Sequence, residues 1–107
     1  MAPDLLNLPK IRAAIKTGRY DLRQHARQRA REREITIQMI EQTILRGEIV
    51  ERQPRAKPYP KCLMMRLFKS SEPLYVSLAY NATRNFVYII TVHWFDSKKW
   101  LSPWTRR

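Results

Sequence analysis

The spacing of hydrophobic positions changes once along the chain, near Gly47. Before Gly47, apolar residues recur at helical spacing, as in Leu8, Ile11 and Ile15, which indicates amphipathic helices. After Gly47, apolar and polar residues first alternate, and a nearly continuous apolar run then covers residues 86–93. The alternating pattern is typical of a half-buried strand, and the continuous one is typical of a central strand.

Three helices are predicted in the first part. The first begins at Pro9 and ends at Gly18, because proline suits the first turn of a helix and glycine the position just after it. The second covers the arginine-rich segment 23–33, which contains no proline, glycine or β-branched residue. The third is capped by Thr36 and ends at Gly47.

The second part of the chain predicts about four strands, at residues 48–52, 62–68, 74–80 and 86–93. Their short connections, which include a predicted turn at residues 70–73, make neighbouring strands antiparallel. N-terminal helices packed on an antiparallel sheet of about four strands define an α+β fold.

One domain is expected over residues 1–107, since a chain of this length builds a single core. Its helical part covers about 8–46, its sheet part about 48–95, and a tail rich in tryptophan and arginine covers 96–107. The single cysteine fits a reducing compartment, and neither a signal peptide nor a membrane-spanning run is found. We therefore expect a cytoplasmic protein that does not associate with membranes.

The charge of the chain points to a polyanionic partner. Lysine and arginine number 21 against nine acidic residues, which gives a net charge of +12. From the charge alone, nucleic acid is the first expectation, an acidic protein the second and a membrane surface the third. The 44% hydrophobic content argues against a disordered basic tail, so the charge is expected on a folded surface.

Helical phase divides the arginine-rich segment into two rows. The outer row contains Arg23, Arg27 and Arg31, and is expected to meet solvent or to contact phosphates. The inner row contains His25, Arg29 and Arg33, which share a side with Ala26. Because a helix normally turns its apolar side inward, the inner row is expected to point at the protein or into a cleft.

Metal and cofactor sites are not predicted. One cysteine and two histidines are too few for a closed zinc site, and the acidic residues show no two-metal pattern. The chain also lacks a phosphate-binding glycine loop and a dinucleotide-binding fingerprint. Any catalysis is therefore expected from side chains alone.

Several short motifs occur in a recognisable order. They are His25-Ala26 with Arg29 and Arg33, Gly47 with Ile49-Val50-Glu51, a proline-rich link into Leu63, Pro73-Leu74-Tyr75-Val76, and Ile89-Ile90-Thr91-Val92 with Asp96 and Trp100. From about Tyr20 onward the chain resembles a small bacterial family usually described only as a domain of unknown function. That family is distantly similar to RelE-type ribonuclease toxins, in the wider group of barnase and the tRNA-cutting colicins.

The resemblance implies a RelE/barnase-like α+β fold and RNA cleavage without a metal. The chain departs from the family pattern at two positions, where His93 replaces a tyrosine and Phe95 a proline. A catalytic tyrosine therefore cannot be carried over. Such a toxin would act on RNA, either free or ribosome-bound, and would need an acidic antitoxin protein as inhibitor.

The chemistry of metal-independent RNA cleavage selects five candidate catalytic residues. His25 and His93 suit the base and acid roles near neutral pH. Arg29 and Arg33 suit phosphate binding, and Thr91 lies on the same strand face as His93 and suits a hydrogen bond.

Further RNA contacts are expected from side chains that are basic or aromatic. They are Arg23, Arg27, Arg31, Lys57, Lys61 and Trp94. Two alternatives to an endoribonuclease stay open: a non-catalytic RNA-binding module that uses the same helix, and a basic domain that binds only an acidic protein.

Overall fold

The computed structural model describes residues 5–68 and 72–107. Three helices lie in these ranges: α1 (Leu8–Lys16), α2 (Gln24–Glu32) and α3 (Ile37–Arg46). The strands in these ranges are β1 (Tyr20–Leu22), β2 (Glu48–Gln53), β3 (Lys61–Arg66), β4 (Leu74–Asn81), β5 (Phe86–Trp94), β6 (Trp100–Ser102) and β7 (Thr105–Arg106). Half of the predicted turn at residues 70–73 lies outside the described residues, and so do the first four residues of the chain.

The fold is α+β, but its sheet is not the expected antiparallel sheet of four strands. Five strands pair in the order β1-β5-β4-β3-β2. The four later strands are antiparallel neighbours as predicted, whereas β1 pairs parallel with β5. The prediction missed β1 because three residues are too few to show a period, and its pairing partner lies far along the chain.

Local capping signals define the ends of the helices. The Thr36 side chain accepts a hydrogen bond from the Met39 backbone N–H, as predicted for α3. Gly18 follows α1 in the left-handed region, with φ 74°. Gly47 also follows its helix, but its backbone is extended, and it is needed for a different reason. An added Cβ there would meet the backbone oxygens of Thr43 and Met65.

The main core lies between the helices and one face of the sheet. On β4, the alternate residues Leu74, Val76, Leu78 and Tyr80 face this core, as their alternation predicted. From the helices, the side chains of this core include Ile11, Ile15, Ala26, Ala30, Ile40 and Ile44. The sheet is thus covered by helices on one side.

A smaller second core lies on the other face of the sheet. Leu63, Met65 and Tyr75 pack there against Trp100, which is 1% exposed. Trp100 belongs to the hairpin of β6 and β7, so the expected tail folds back over part of the sheet. For this reason β4 is buried on nearly every residue instead of on one face only.

No helix within the described residues is long and apolar enough to cross a membrane.

Candidate functional site on the open face of the sheet

The face of the sheet that the helices leave uncovered is called here the open face. Across it, Thr91 of β5 pairs with Ser77 of β4, Ser77 with Leu63 of β3, and Leu63 with Glu51 of β2. A register shift opposite Ser77 and Leu78 changes the alternation along β5. In a regular strand, residues 89 and 92 would face opposite sides of the sheet. Because of this shift, Val87, Ile89 and Val92 all face the main core.

A polar cleft lies in the middle of the open face. It has a volume of about 160 Å³, and its polar lining includes Glu51, Lys61, Ser77, Thr91 and Arg106. These residues come from β2, β3, β4 and β5 of the sheet and from β7 of the hairpin, so only the tertiary fold brings them together. We call this site the Thr91 cleft.

An ion pair borders the Thr91 cleft. The Arg106 guanidinium donates two hydrogen bonds to the Glu51 carboxylate, with N–O distances of 2.7 and 2.8 Å. These hydrogen bonds hold the pKa of Glu51 below its usual value although burial opposes the change. The carboxylate is therefore ionised at neutral pH, and the cleft contains a fixed pair of opposite charges beside Lys61.

His93 lies two residues beyond Thr91 on the open face. Its ring stacks on Tyr75, with centroids 5.1 Å apart and planes within 6°. Burial, together with the nearby positive charges of Arg33, Lys99 and Arg106, lowers the pKa of His93 to about 4. The imidazole is therefore neutral at pH 7, which suits a proton acceptor and disfavours the proton-donor role.

An aromatic and basic surface adjoins the Thr91 cleft. The Tyr59 and Tyr88 rings stack with centroids 5.5 Å apart, and the Arg23 guanidinium carbon lies 4.5 Å from the centre of the Tyr88 ring. These two tyrosines, which we call the aromatic platform, line one cavity with Lys57 and Lys61.

The inner row of α2 does not form the contact of this helix with the sheet. The side that packs on β5 consists of Ala26 and Ala30, which bring the helix backbone close to the strand. His25 is exposed, and Arg29 forms a 3.0 Å ion pair with Glu32. The expectation that the inner row points at the protein or into a cleft was wrong for His25 and Arg29, because two alanines suffice for the contact and these longer side chains stay outside it.

The two histidines belong to different layers of the fold. His25 lies on α2, whose packing side joins the main core, whereas His93 contacts Tyr75 on the open face. The described contacts do not bring them into one cleft. Arg33 alone of the inner row reaches the end of β5, where its guanidinium donates a 2.8 Å hydrogen bond to the Val92 carbonyl oxygen.

Two of the other predicted RNA contacts, Arg27 and Trp94, take structural positions. Arg27 donates to Asp21 and to the Leu22 carbonyl oxygen, which ties α2 to β1. The Trp94 indole N–H donates to the Arg33 carbonyl oxygen, and its ring packs against the main core. Arg31 is exposed on α2.

By contrast, Lys61 and Thr91 line the Thr91 cleft, and Arg23, Lys57 and Lys61 surround the aromatic platform.

The side chains Glu51, Arg106, Tyr59 and Tyr88 of this region were not predicted as site residues from the sequence. Glu51 and Arg106 are separated by 55 positions, so no local pattern joins them. Tyr88 was counted only as part of an apolar strand. Tyr59 gave a usable signal, since an aromatic residue between Pro58 and Pro60 in a basic loop is held at the surface by rigid neighbours.

No group of three or more potential metal ligands is found among the residues that the structure describes.

The fold and the site define a small α+β domain whose mixed sheet has helices on one face and a basic, aromatic open face on the other. The family described as "Domain of unknown function (DUF4258)" matches residues 22–94, which is well over half of the chain. The chain therefore belongs to this family. No curated protein and no solved structure matches the chain significantly.

Proposed function

We propose that the protein binds RNA on the open face of its sheet and cleaves it in the Thr91 cleft without a metal ion. The observation that supports this proposal most directly is the convergence of Lys61, Thr91 and Arg106 on one cleft, with His93 two residues along the same strand from Thr91. Two cations and a hydroxyl group are suited to hold a phosphate, and a neutral imidazole nearby is suited to accept a proton. The net charge of +12 favours a nucleic acid as the ligand.

The proposed reaction is attack by the ribose 2′-hydroxyl on the adjacent phosphorus. His93 takes the 2′-hydroxyl proton as the new oxygen–phosphorus bond forms. Arg106 and Lys61 stabilise the added negative charge of the phosphorane. The bond to the 5′-oxygen then breaks, the Lys61 ammonium donates a proton to that oxygen, and a 2′,3′-cyclic phosphate remains. His25, Arg29 and Arg33 are not needed in these steps, although Arg33 influences His93 electrostatically.

Non-catalytic RNA binding is the second candidate, and two observations favour it. The low pKa of His93, about 4, makes it a weak base, and the Glu51 carboxylate is held by Arg106. Binding alone needs only cations and aromatic rings, both of which the open face provides. The first candidate, the endoribonuclease, also includes the proposed similarity to RelE-type toxins. With that similarity comes an acidic antitoxin that covers the open face.

Incubation of the protein with a labelled RNA in EDTA separates the two candidates. Cleavage that persists in the chelator, yields a cyclic phosphate and falls at least about 100-fold in Thr91→Val or Arg106→Gln would support the enzyme. Lys16→Gln is the matched control for Arg106→Gln, because it removes one exposed positive charge from the helical layer.

Two further outcomes complete this test. If RNA stays intact both free and on the ribosome, but binds to the protein in a salt-sensitive way, the result supports the non-catalytic RNA-binding module. If the wild type neither cleaves nor binds RNA at low ionic strength, the proposed function is wrong, and an acidic protein becomes the expected partner of the basic surface.

A further inference from the structure

We infer that the aromatic platform of Tyr59 and Tyr88 is a subsite for one unpaired base of single-stranded RNA. The inference rests on the proposed function and deepens it by naming the form of RNA that the open face accepts. Its basis is a cavity of about 230 Å³ beside the Thr91 cleft.

The chemistry of the cavity fits a base with its flanking phosphates. Its apolar lining comes from Pro58, Ala79, Ile90 and the two platform tyrosines. Arg23, Lys57 and Lys61 complete the lining, and none of the described lining residues is acidic. An aromatic surface surrounded by cations is the combination by which proteins hold single-stranded nucleic acid, because a base stacks while its phosphates meet positive charge.

The two tyrosines are not needed by the described core. Neither Tyr59 nor Tyr88 belongs to the main core or to the second core, and both are only half-buried. Tyr59 lies between Pro58 and Pro60, which restrict the backbone of this loop. A ring that is held in place before binding loses little conformational entropy when a base stacks on it.

Lys61 connects this subsite to the Thr91 cleft. It lines both cavities, whereas the other cations each line one of them. A phosphate at Lys61 is therefore adjacent to a base on the platform. An RNA duplex keeps its bases stacked inside, so it cannot offer a base to the platform without opening. The subsite thus selects single-stranded RNA over duplex RNA.

The test uses a labelled oligouridine of about 12 nucleotides with 2′-O-methyl groups, which blocks attack by the 2′-oxygen. Tyr59→Leu should weaken binding about 5- to 100-fold, as expected for the loss of one stacked base. Tyr88→Leu should also weaken binding, because Tyr59 then loses the ring on which it stacks. Trp104→Leu is the matched control, because Trp104 is an exposed aromatic residue outside the platform cavity. Lys57→Gln should instead reduce the slope of log affinity against log salt concentration, by the amount expected for the loss of about one phosphate contact.

A sugar–phosphate chain without bases separates stacking from charge. The tyrosine variants should bind this chain as well as the wild type does. Equal affinity of Tyr59→Leu and wild type for oligouridine would overturn the inference, and so would an equal loss on the chain without bases. Tyr59 lies in a loop, so Tyr59→Leu remains informative if Tyr88→Leu does not fold.

This experiment also distinguishes the inference from the proposed function. A wild type that binds no RNA removes both. If the wild type binds RNA and the tyrosine variants bind it equally well, only the platform subsite is rejected. The Thr91 cleft is then still tested by the effects of Thr91→Val and Arg106→Gln on cleavage.

Discussion

Acidification should destabilise this protein through His93 before the carboxylates begin to titrate. The pKa of His93 falls from 6.5 to about 4 in the folded state, mainly because of burial. Between these values the unfolded chain binds more protons than the folded one. The free energy of unfolding therefore rises with pH across this window, and this contribution is lost as the pH falls from 6.5 towards 4.

The magnitude follows from the fall in pKa. A change from 6.5 to about 4 corresponds to at most about 3 kcal/mol of unfolding free energy. The ring is only partly buried and its cationic neighbours are screened by solvent, so we expect about 1–2 kcal/mol. Glu32 and Glu51 have pKa values lowered from 4.5, so their contributions disappear only below that pH. The window from 4.5 to 6.5 therefore reports on His93.

Urea denaturation of the wild type and of His93→Phe at several pH values within this window measures the effect. Phenylalanine keeps a ring that can stack on Tyr75 but cannot titrate, so its stability should be nearly constant there. His25→Asn is the matched control, since His25 is exposed on α2, and it should follow the wild type. Parallel pH dependence of His93→Phe and wild type would refute this account of His93, and with it the reason for giving His93 a proton-acceptor role.

Three further substitutions test the packing around the site. Trp100→Ala should lower the free energy of unfolding by about 3–5 kcal/mol in urea titrations, because it empties the second core under Tyr75. An effect below about 1 kcal/mol would mean that the β6–β7 hairpin is not docked on the sheet. Gly47→Ala should cost about 1–3 kcal/mol by the same measurement, since its Cβ would lie 2.5 Å from the Met65 carbonyl oxygen, and unchanged stability would show that the strand can move away. Ala26→Leu should lower the free energy of unfolding by about 1–3 kcal/mol, because the larger side chain overpacks the contact of α2 with β5. Arg31→Leu, on the exposed side of α2, is its control. Similar melting curves for the two variants would contradict the described packing.

Local sequence signals determined the three helices, the four longer strands and the faces of most of these strands, but not the short strands β1, β6 and β7. The Thr36 cap and the alternation from Leu74 to Tyr80 depend on neighbours a few positions away, so they can be read without a structure. The class of fold follows from the same information, because the order of helices and strands limits how their apolar sides can meet. Thr91 and His93 were placed correctly on one face for the same reason.

The tertiary structure decided which of these faces meet and therefore where the candidate site lies. Helical phase put His25 on an inner side, but the space between α2 and β5 admits only the small side chains of Ala26 and Ala30. The pairing of Arg106 with Glu51 depends on a hairpin folding back over a sheet, and no local period encodes a contact across 55 positions. The sequence alone thus determined that the protein is a basic α+β domain, whereas only long-range packing moved the candidate site from the arginine helix to the open face of the sheet.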